Sequence, residues 1–201
     1  MSGAASRPAA VPAPAAAPAE PLTGILLAGG ASSRFGSPKA LARLDGETLA
    51  ARAHRALAAA CDEVIAVGKA GDALPLPFPL LDDGSAVRAP IAGVVAGLRA
   101  ARHDLCVVLP VDCPLVDAAL LRQLATACTG DAAHPPSGPL PGAYRRSALP
   151  VLEAALAAGE LSLWRALDRL SVASVAVDEQ KLADVDEQRD LEVLQALLGG
   201  L

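Results

Sequence analysis

From Leu22 onward, short apolar runs alternate with stretches whose apolar residues recur at helical spacing. The runs ILLA, EVIAV and LCVVL carry no polar alternation, the pattern of strands covered on both faces. The periodicity predicts strands at 23–27, 63–67, 104–109 and, more briefly, near 78–81, with helices near 47–60, at 91–101 and at 117–127. Strands and helices in turn are the signature of βαβ units, so an α/β fold with a doubly wound, mostly parallel sheet is expected. Past residue 129 the pattern shifts. GDAAHPPSGPLPG is rich in turn formers; helices then run from Ser147 to about Ala158 and over 161–170, followed by a strand over 172–177. A closing amphipathic helix over 187–198 puts Leu191, Leu194, Leu197 and Leu198 on one face.

Open sheets of this kind bind ligands outside the carboxyl ends of their strands, and two turns there carry chemistry. The first lies in ILLAGGASSRFGSPK (25–39). Gly29 and Gly30 can adopt positive φ and bring backbone N–H groups close to an anion, while Arg34 and Lys39 supply countercharge. The segment is neither a Walker A loop nor Gly-x-Gly-x-x-Gly, and LAGG by itself also reads as a plain strand turn. The second turn is LPVDCPLV (109–116), where prolines hold Asp112 at the end of a buried run. Mg²⁺ takes oxygen ligands, usually one or two carboxylates plus phosphates and water, which suits Asp112; an Asp that merely closes a turn would look the same.

Three further features leave alternatives open. In ADVDEQRDLE (183–192), Asp184 and Asp186 fall on one side of an extended segment; they either complete a metal site or leave Asp186 to cap the last helix. In DDGSAVRAPIAGVVAGLRAAR (82–102), Gly93 and Gly97 share a helix face, for close packing or close approach of a ligand, and Asp82 or Asp83 can accept from a ribose or base. Only Lys39, Lys69 and Lys181 are lysine among 17 basic residues, so an arginine-preferring chain keeps a compact point charge at Lys39.

Composition removes several classes. A net charge of −5 with scattered arginines excludes a nucleic-acid surface. No apolar run approaches the roughly 20 residues of a membrane span. The four cysteines lack Cys-x-x-Cys spacing, which points away from zinc and a disulfide framework and toward a reducing cytoplasm. The three histidines do not cluster, so they read as surface or structural residues. Residues 1–20 are nearly all Ala, Pro, Ser and Gly and are expected to be a disordered tail, not a signal peptide, leaving 21–201 as one domain.

Taken together, LAGGASSRFGSPKAL, DDGSAVRAPIAGVVAGL, VLPVDCPL and DVDEQRDLE closely resemble, in order and spacing, the molybdenum cofactor guanylyltransferase family of the nucleotidyltransferase fold. The resemblance spans roughly residues 22–195, and PIAG corresponds to that family's Gly-Pro-Leu-Ala-Gly. It departs at Phe35, where the family commonly has Met, at Gly68 for Asn, at Asp184-Val-Asp186 for Asn-x-Asn, and at Gly138-Pro139 for His-Pro.

The resemblance implies a Rossmann-like, GT-A-type sheet in which Leu27, Ala28 and Gly29 contact the nucleotide, Lys39 its phosphates, Asp82 the nucleoside, and Asp112 both nucleotide and Mg²⁺. It implies transfer of GMP from GTP to molybdopterin with release of pyrophosphate. Arg34, Lys39 and Asp112 would be catalytic, Asp186 a second metal ligand, and molybdoenzymes or their chaperones the recipients of the product. A cytidylyltransferase of the same cofactor, a sugar-phosphate nucleotidyltransferase and a non-catalytic nucleotide-binding adaptor are the rivals. Base preference and pyrophosphate release separate them.

Overall fold

A computed structural model describes residues 20–29, 35 and 38–199. The strands are β1 (Leu22–Leu27), β2 (Arg43–Leu44), β3 (Glu47–Thr48), β4 (Glu63–Gly68), β5 (Leu80–Asp82), β6 (Leu105–Pro110), β7 (Ala132–His134), β8 (Gly142–Arg145) and β9 (Val172–Ser174). The helices are α1 (Leu49–Ala60), α2 (Pro90–Ala100), α3 (Ala118–Ala127), α4 (Leu149–Ala157), α5 (Leu163–Leu167) and α6 (Gln188–Gly199). Among the described residues no helix is long and apolar enough to cross a membrane.

Seven strands form one sheet in the order β5-β4-β1-β6-β8-β7-β9. Strands β5, β4, β1 and β6 are parallel neighbours, and β7 is parallel to β9, while β8 runs antiparallel to both β6 and β7. Six carboxyl ends therefore share one rim, as expected of a mostly parallel doubly wound sheet. β1, interior to the sheet between β4 and β6, is buried along its whole length because helices cover both faces. On one face Leu57 of α1 and Leu120, Leu121 and Leu124 of α3 pack with Leu26, Val107 and Leu109. On the other, Ile91, Val94 and Leu98 of α2 and Leu152 of α4 pack with Ile25, Cys106 and Val108. The expected glycine packing is present on that face: a Cβ at Gly97 would lie 2.5 Å from Ile25 Cγ2, and one at Gly93 2.8 Å from Leu27 Cδ2.

A third cluster joins Phe35, Leu44 and Leu49 to Val185, Leu191 and Leu194. It folds the C-terminal α6 back against the β2–β3 hairpin, so residues 183–186 come to lie beside the turn after β6. That hairpin turns at Asp45-Gly46, both at positive φ, the conformation a tight two-residue turn demands. The helix expected near 47–60 starts at Leu49 because Glu47 and Thr48 pair with Arg43 and Leu44, and the Thr48 hydroxyl caps it by accepting from the Ala51 N–H. Two short strands, β7 and β8, stand where turn chemistry alone was expected. Of the proposed tail only Glu20 is described; it pairs with Arg145 at 2.8 Å.

Candidate active site

The turns that leave β1, β4 and β6 open into a single cleft of about 240 Å³. Leu27, Ala28 and Gly29 line it, and the ladder continues past β1 on both sides: the Ala28 N–H donates to Val67 O at 2.8 Å and the Val111 N–H to Leu27 O at 3.1 Å. Gly29 sits at a close approach of two backbones, where a Cβ would come within 3.1 Å of Gly68 Cα. Gly30 and Arg34 lie outside the described residues.

Lys39 opens a 3₁₀ turn and projects into the cleft, its side chain only 16 % exposed. Its Nζ lies 2.7 Å from Asp186 Oδ1 and 3.6 Å from Asp112 Oδ2. Burial works against the ammonium, but the hydrogen bond to Asp186 and the charges of Asp112 and Asp186 outweigh it and raise the Lys39 pKa, so Nζ stays protonated. Asp112 shows the converse balance. Burial pushes its carboxyl above the usual range against the pull of Lys39, and the charges of Asp186 and Asp184 push the same way. A site that penalises the carboxylate in this manner favours an added cation.

The position of Asp186 follows from two contacts. The Val185 N–H donates to the Asp112 carbonyl at 2.8 Å, which fastens the 183–186 segment to the turn after β6. The N–H groups of Asp186 and Glu187 both donate to Asp190 Oδ2, at 2.9 and 2.7 Å. Asp190 therefore closes the start of α6, and the Asp186 carboxylate is directed to Lys39. Cys113 places its Sγ 3.8 Å from Asp112 Oδ1.

Among the described residues no group of three or more His, Cys, Asp or Glu side chains is arranged to hold a metal. Asp112 and Asp186 converge nonetheless on one cationic atom, and both offer hard oxygen donors. That set fits Mg²⁺, which takes one or two carboxylates and completes its shell with phosphate oxygens and water.

The opposite side of the cleft is cationic as well. α2 begins there with Pro90, and Ala89 at its N-cap makes no side-chain cap bond, so the positive end of the helix dipole faces the cleft uncovered by any capping side chain. Arg88 lines the cleft beside it and is bound by both oxygens of Asp72, at 3.0 and 2.5 Å. Asp82 does not line it. Its carboxylate accepts the Ala70 and Gly84 N–H groups at 2.6 and 2.7 Å, and these bonds lower its pKa. Asp83 is the one that reaches the lining, paired with Lys69 at 2.7 Å. The three histidines stay outside the cleft lining: His54 stacks on Phe78 and buried His134 meets Trp164 edge-on.

Sequence reasoning did not assign Lys69, Arg88 or Leu140 to the cleft. Lys69 carried a usable signal, because it is one of three lysines and directly follows a buried strand. Arg88 stands two residues before PIAG. Leu140 sits in the Pro-rich loop before β8 and carried none.

Residues 24–175 match the model of the MobA-like NTP transferase domain. A probable molybdenum cofactor guanylyltransferase of Chloroflexus aggregans is 35 % identical over 89 % of this chain and 95 % of its own length. A molybdenum cofactor guanylyltransferase of Pseudomonas putida is 40 % identical over 76 % of this chain and 85 % of its own. The crystal structure of molybdopterin-guanine dinucleotide biosynthesis protein A from Archaeoglobus fulgidus superposes with a TM-score of 0.77 at 23 % identity, covering 89 % of this chain and all of that one. These matches agree with the resemblance read from the four motifs. The chain is a nucleotidyltransferase belonging to the MobA-like NTP transferase family.

Proposed function

We propose that this chain transfers GMP from GTP to the terminal phosphate of molybdopterin and releases pyrophosphate. The observation that carries the reading is the convergence of Lys39, Asp112 and Asp186 at the carboxyl ends of β1 and β6. It joins the start of α2 in the same cleft. The relatives named as guanylyltransferases supply the choice of base and acceptor.

In this reading an oxygen of the acceptor phosphate attacks the α-phosphorus of GTP. A P–O bond forms there, the bond to the α,β-bridging oxygen breaks, and its electron pair leaves with pyrophosphate. The attacking oxygen is already anionic, so no general base is needed. Positioning and charge stabilisation are what remain for the protein to supply. Leu27, Ala28, Gly29 and Gly30 contact the nucleotide; Arg34 and the protonated Nζ of Lys39 stabilise charge on the α-phosphate and the leaving group. Asp112 and Asp186 hold Mg²⁺, which when bound neutralises the triphosphate and polarises its phosphoryl oxygens. Asp82 contributes from outside the lining, by fastening the junction of residues 70 and 84.

Pyrophosphate release measured over the four ribonucleoside triphosphates, with and without molybdopterin, tests the reading. Release is expected with GTP and only when the acceptor is present. Faster release with CTP would assign the cytidylyl activity, and nucleotide binding without release would assign a carrier.

A further inference from the structure

The Lys69 ammonium is enclosed at the edge of the nucleotide cleft, with its side chain 13 % exposed and that of its partner Asp83 7 % exposed. It donates to Asp83 Oδ1 at 2.7 Å, to Val87 O at 2.7 Å and to Ser85 O. A lysine has three donors and no acceptor, so these bonds use its whole capacity. None remains for a substrate phosphate. Lys69 therefore differs in kind from Lys39, which faces carboxylates that substrate and metal can compete for.

What Lys69 holds is the loop between β5 and α2. Asp83 is anchored by its own N–H to Gly68 O at 3.0 Å, and its Oδ1 also accepts the Ser85 N–H at 2.9 Å. Ser85 Oγ accepts the Val87 N–H at 3.1 Å. The next residues, Arg88, Ala89 and Pro90, line the cleft. Without the ammonium, a buried carboxylate and two carbonyl dipoles would be left uncompensated next to a cleft that must take a triphosphate.

We propose that Lys69 is a positioning residue for the nucleotide. It cancels the charge of Asp83 and ties down residues 83–87, so that the cleft meets the triphosphate with Arg88 and the α2 N-terminus. The inference rests on the nucleotidyl-transfer reading, and its test separates the two.

The test compares wild type, Lys69→Met, Lys69→Arg, Asp83→Asn and the Lys69→Met/Asp83→Asn double variant. Binding of Mg·GTP and of Mg·CTP is measured by calorimetry, melting temperature is recorded for each protein, and KM and kcat follow. Lys69→Met should weaken nucleotide binding about tenfold or more, the order expected when an uncompensated charge faces an anion at low effective dielectric. The loss should appear in KM, with kcat little changed. Lys69→Arg should keep most of the affinity, and the double variant should recover most of what Lys69→Met loses. Asp83→Asn should bind at least as tightly as wild type, which provides a reading even if Lys69→Met does not fold.

A merely structural lysine would lower the melting temperature and leave affinity alone. Wild-type affinity in Lys69→Met overturns the proposal, as does a loss that the second substitution fails to relieve. Weaker binding in Asp83→Asn also overturns it, because the carboxylate would then contact the nucleotide itself. Wild type that prefers CTP corrects the base, and the Lys69 comparison is then read on CTP. Wild type that binds neither nucleotide overturns both this proposal and the functional reading.

Discussion

Lys39 Nζ and Asp112 Oδ2 face each other at 3.6 Å across the space between the ends of β1 and β6. This is a long contact for an ion pair, in which strong charge-assisted bonds fall near 2.7–2.9 Å. The shorter bond of Lys39 goes to Asp186 at 2.7 Å, a side chain left largely open to solvent. Of these two carboxylates the outer one holds Lys39 more closely, and Asp112 is only partly compensated by it. In the proposed mechanism a triphosphate with its cation competes for these two contacts, giving Lys39 a phosphate oxygen and Asp112 a metal.

Replacing Asp112 with Asn keeps its shape and removes the charge that would hold Mg²⁺. Turnover should fall by at least roughly a hundredfold, the scale seen when a main electrostatic stabiliser is lost. Asp186→Asn should do less, because Asp186 is the more exposed of the two carboxylates and the resembling family carries Asn-x-Asn at 184–186. Steady-state rates over a Mg²⁺ titration check both; near-wild-type activity of Asp112→Asn at low Mg²⁺ would sink the metal assignment.

Lys39→Ala should remove most turnover with GTP while the protein remains folded, because this side chain lies on a short turn outside the helix–sheet core. A loss of stability should accompany it, since the interactions with Asp186 and Asp112 outweigh the burial of the ammonium and its removal leaves two carboxylates uncompensated. Melting temperature and pyrophosphate release, measured on the same sample, decide between a catalytic cation and a structural one.

Gly97→Ala tests the packing of α2 on β1. Its Cβ would fall 2.5 Å from Ile25 Cγ2 and 2.9 Å from Cδ1, inside a side chain that is fully buried. Overpacking of this kind costs about 1–3 kcal/mol, which for a chain this size lowers Tm by roughly 2–12 °C. An unchanged Tm would mean that α2 can move off the sheet.

All four cysteines are free thiols, and burial raises each of them: Cys61 and Cys106 to about 12, Cys128 to about 11, and Cys113 as well. A thiol kept protonated is a poor nucleophile, so a disulfide reagent near neutral pH should label the native protein slowly and the denatured protein at all four sites. The unfolded thiols ionise near 9.0 and the folded ones do not, so the unfolded state loses protons first as pH rises. The stability owed to these groups is complete below 9.0 and declines above it. Urea midpoints measured on both sides of that value should fall on the alkaline side.

The central strands were legible because full burial on both faces leaves an unbroken apolar run, as in ILLA and LCVVL. The β7 and β8 strands were not. AAH and GAYR are three and four residues long, poor in β-branched side chains, and set among prolines that signal turns. Their strand character comes from the sheet edge that β6 offers to β8. The Asp45-Gly46 turn was readable in principle, but the helical pattern beginning next to it masked two-residue strands.

In the site, Gly29, Lys39 and Asp112 could be placed at the cleft from sequence because Gly29 and Asp112 directly follow buried apolar runs and Lys39 is one of three lysines. The choice between Asp82 and Asp83 could not be made from sequence, since the two are adjacent at the end of β5 and their hydrogen-bond partners separate them. Asp186 was open between metal ligand and helix cap for a similar reason: the residue that closes the helix start, Asp190, lies four positions on and is helical itself.

The most direct test of guanylyl transfer follows the phosphorus atoms. GTP radiolabelled at the α-phosphate, or separately at the γ-phosphate, is incubated with enzyme, Mg²⁺ and molybdopterin, and the products are separated. The account predicts that the α label moves into the pterin product as a guanine dinucleotide while the γ label leaves in pyrophosphate. Label from α that remains in GTP, or appears only as free GMP or GDP, would contradict it.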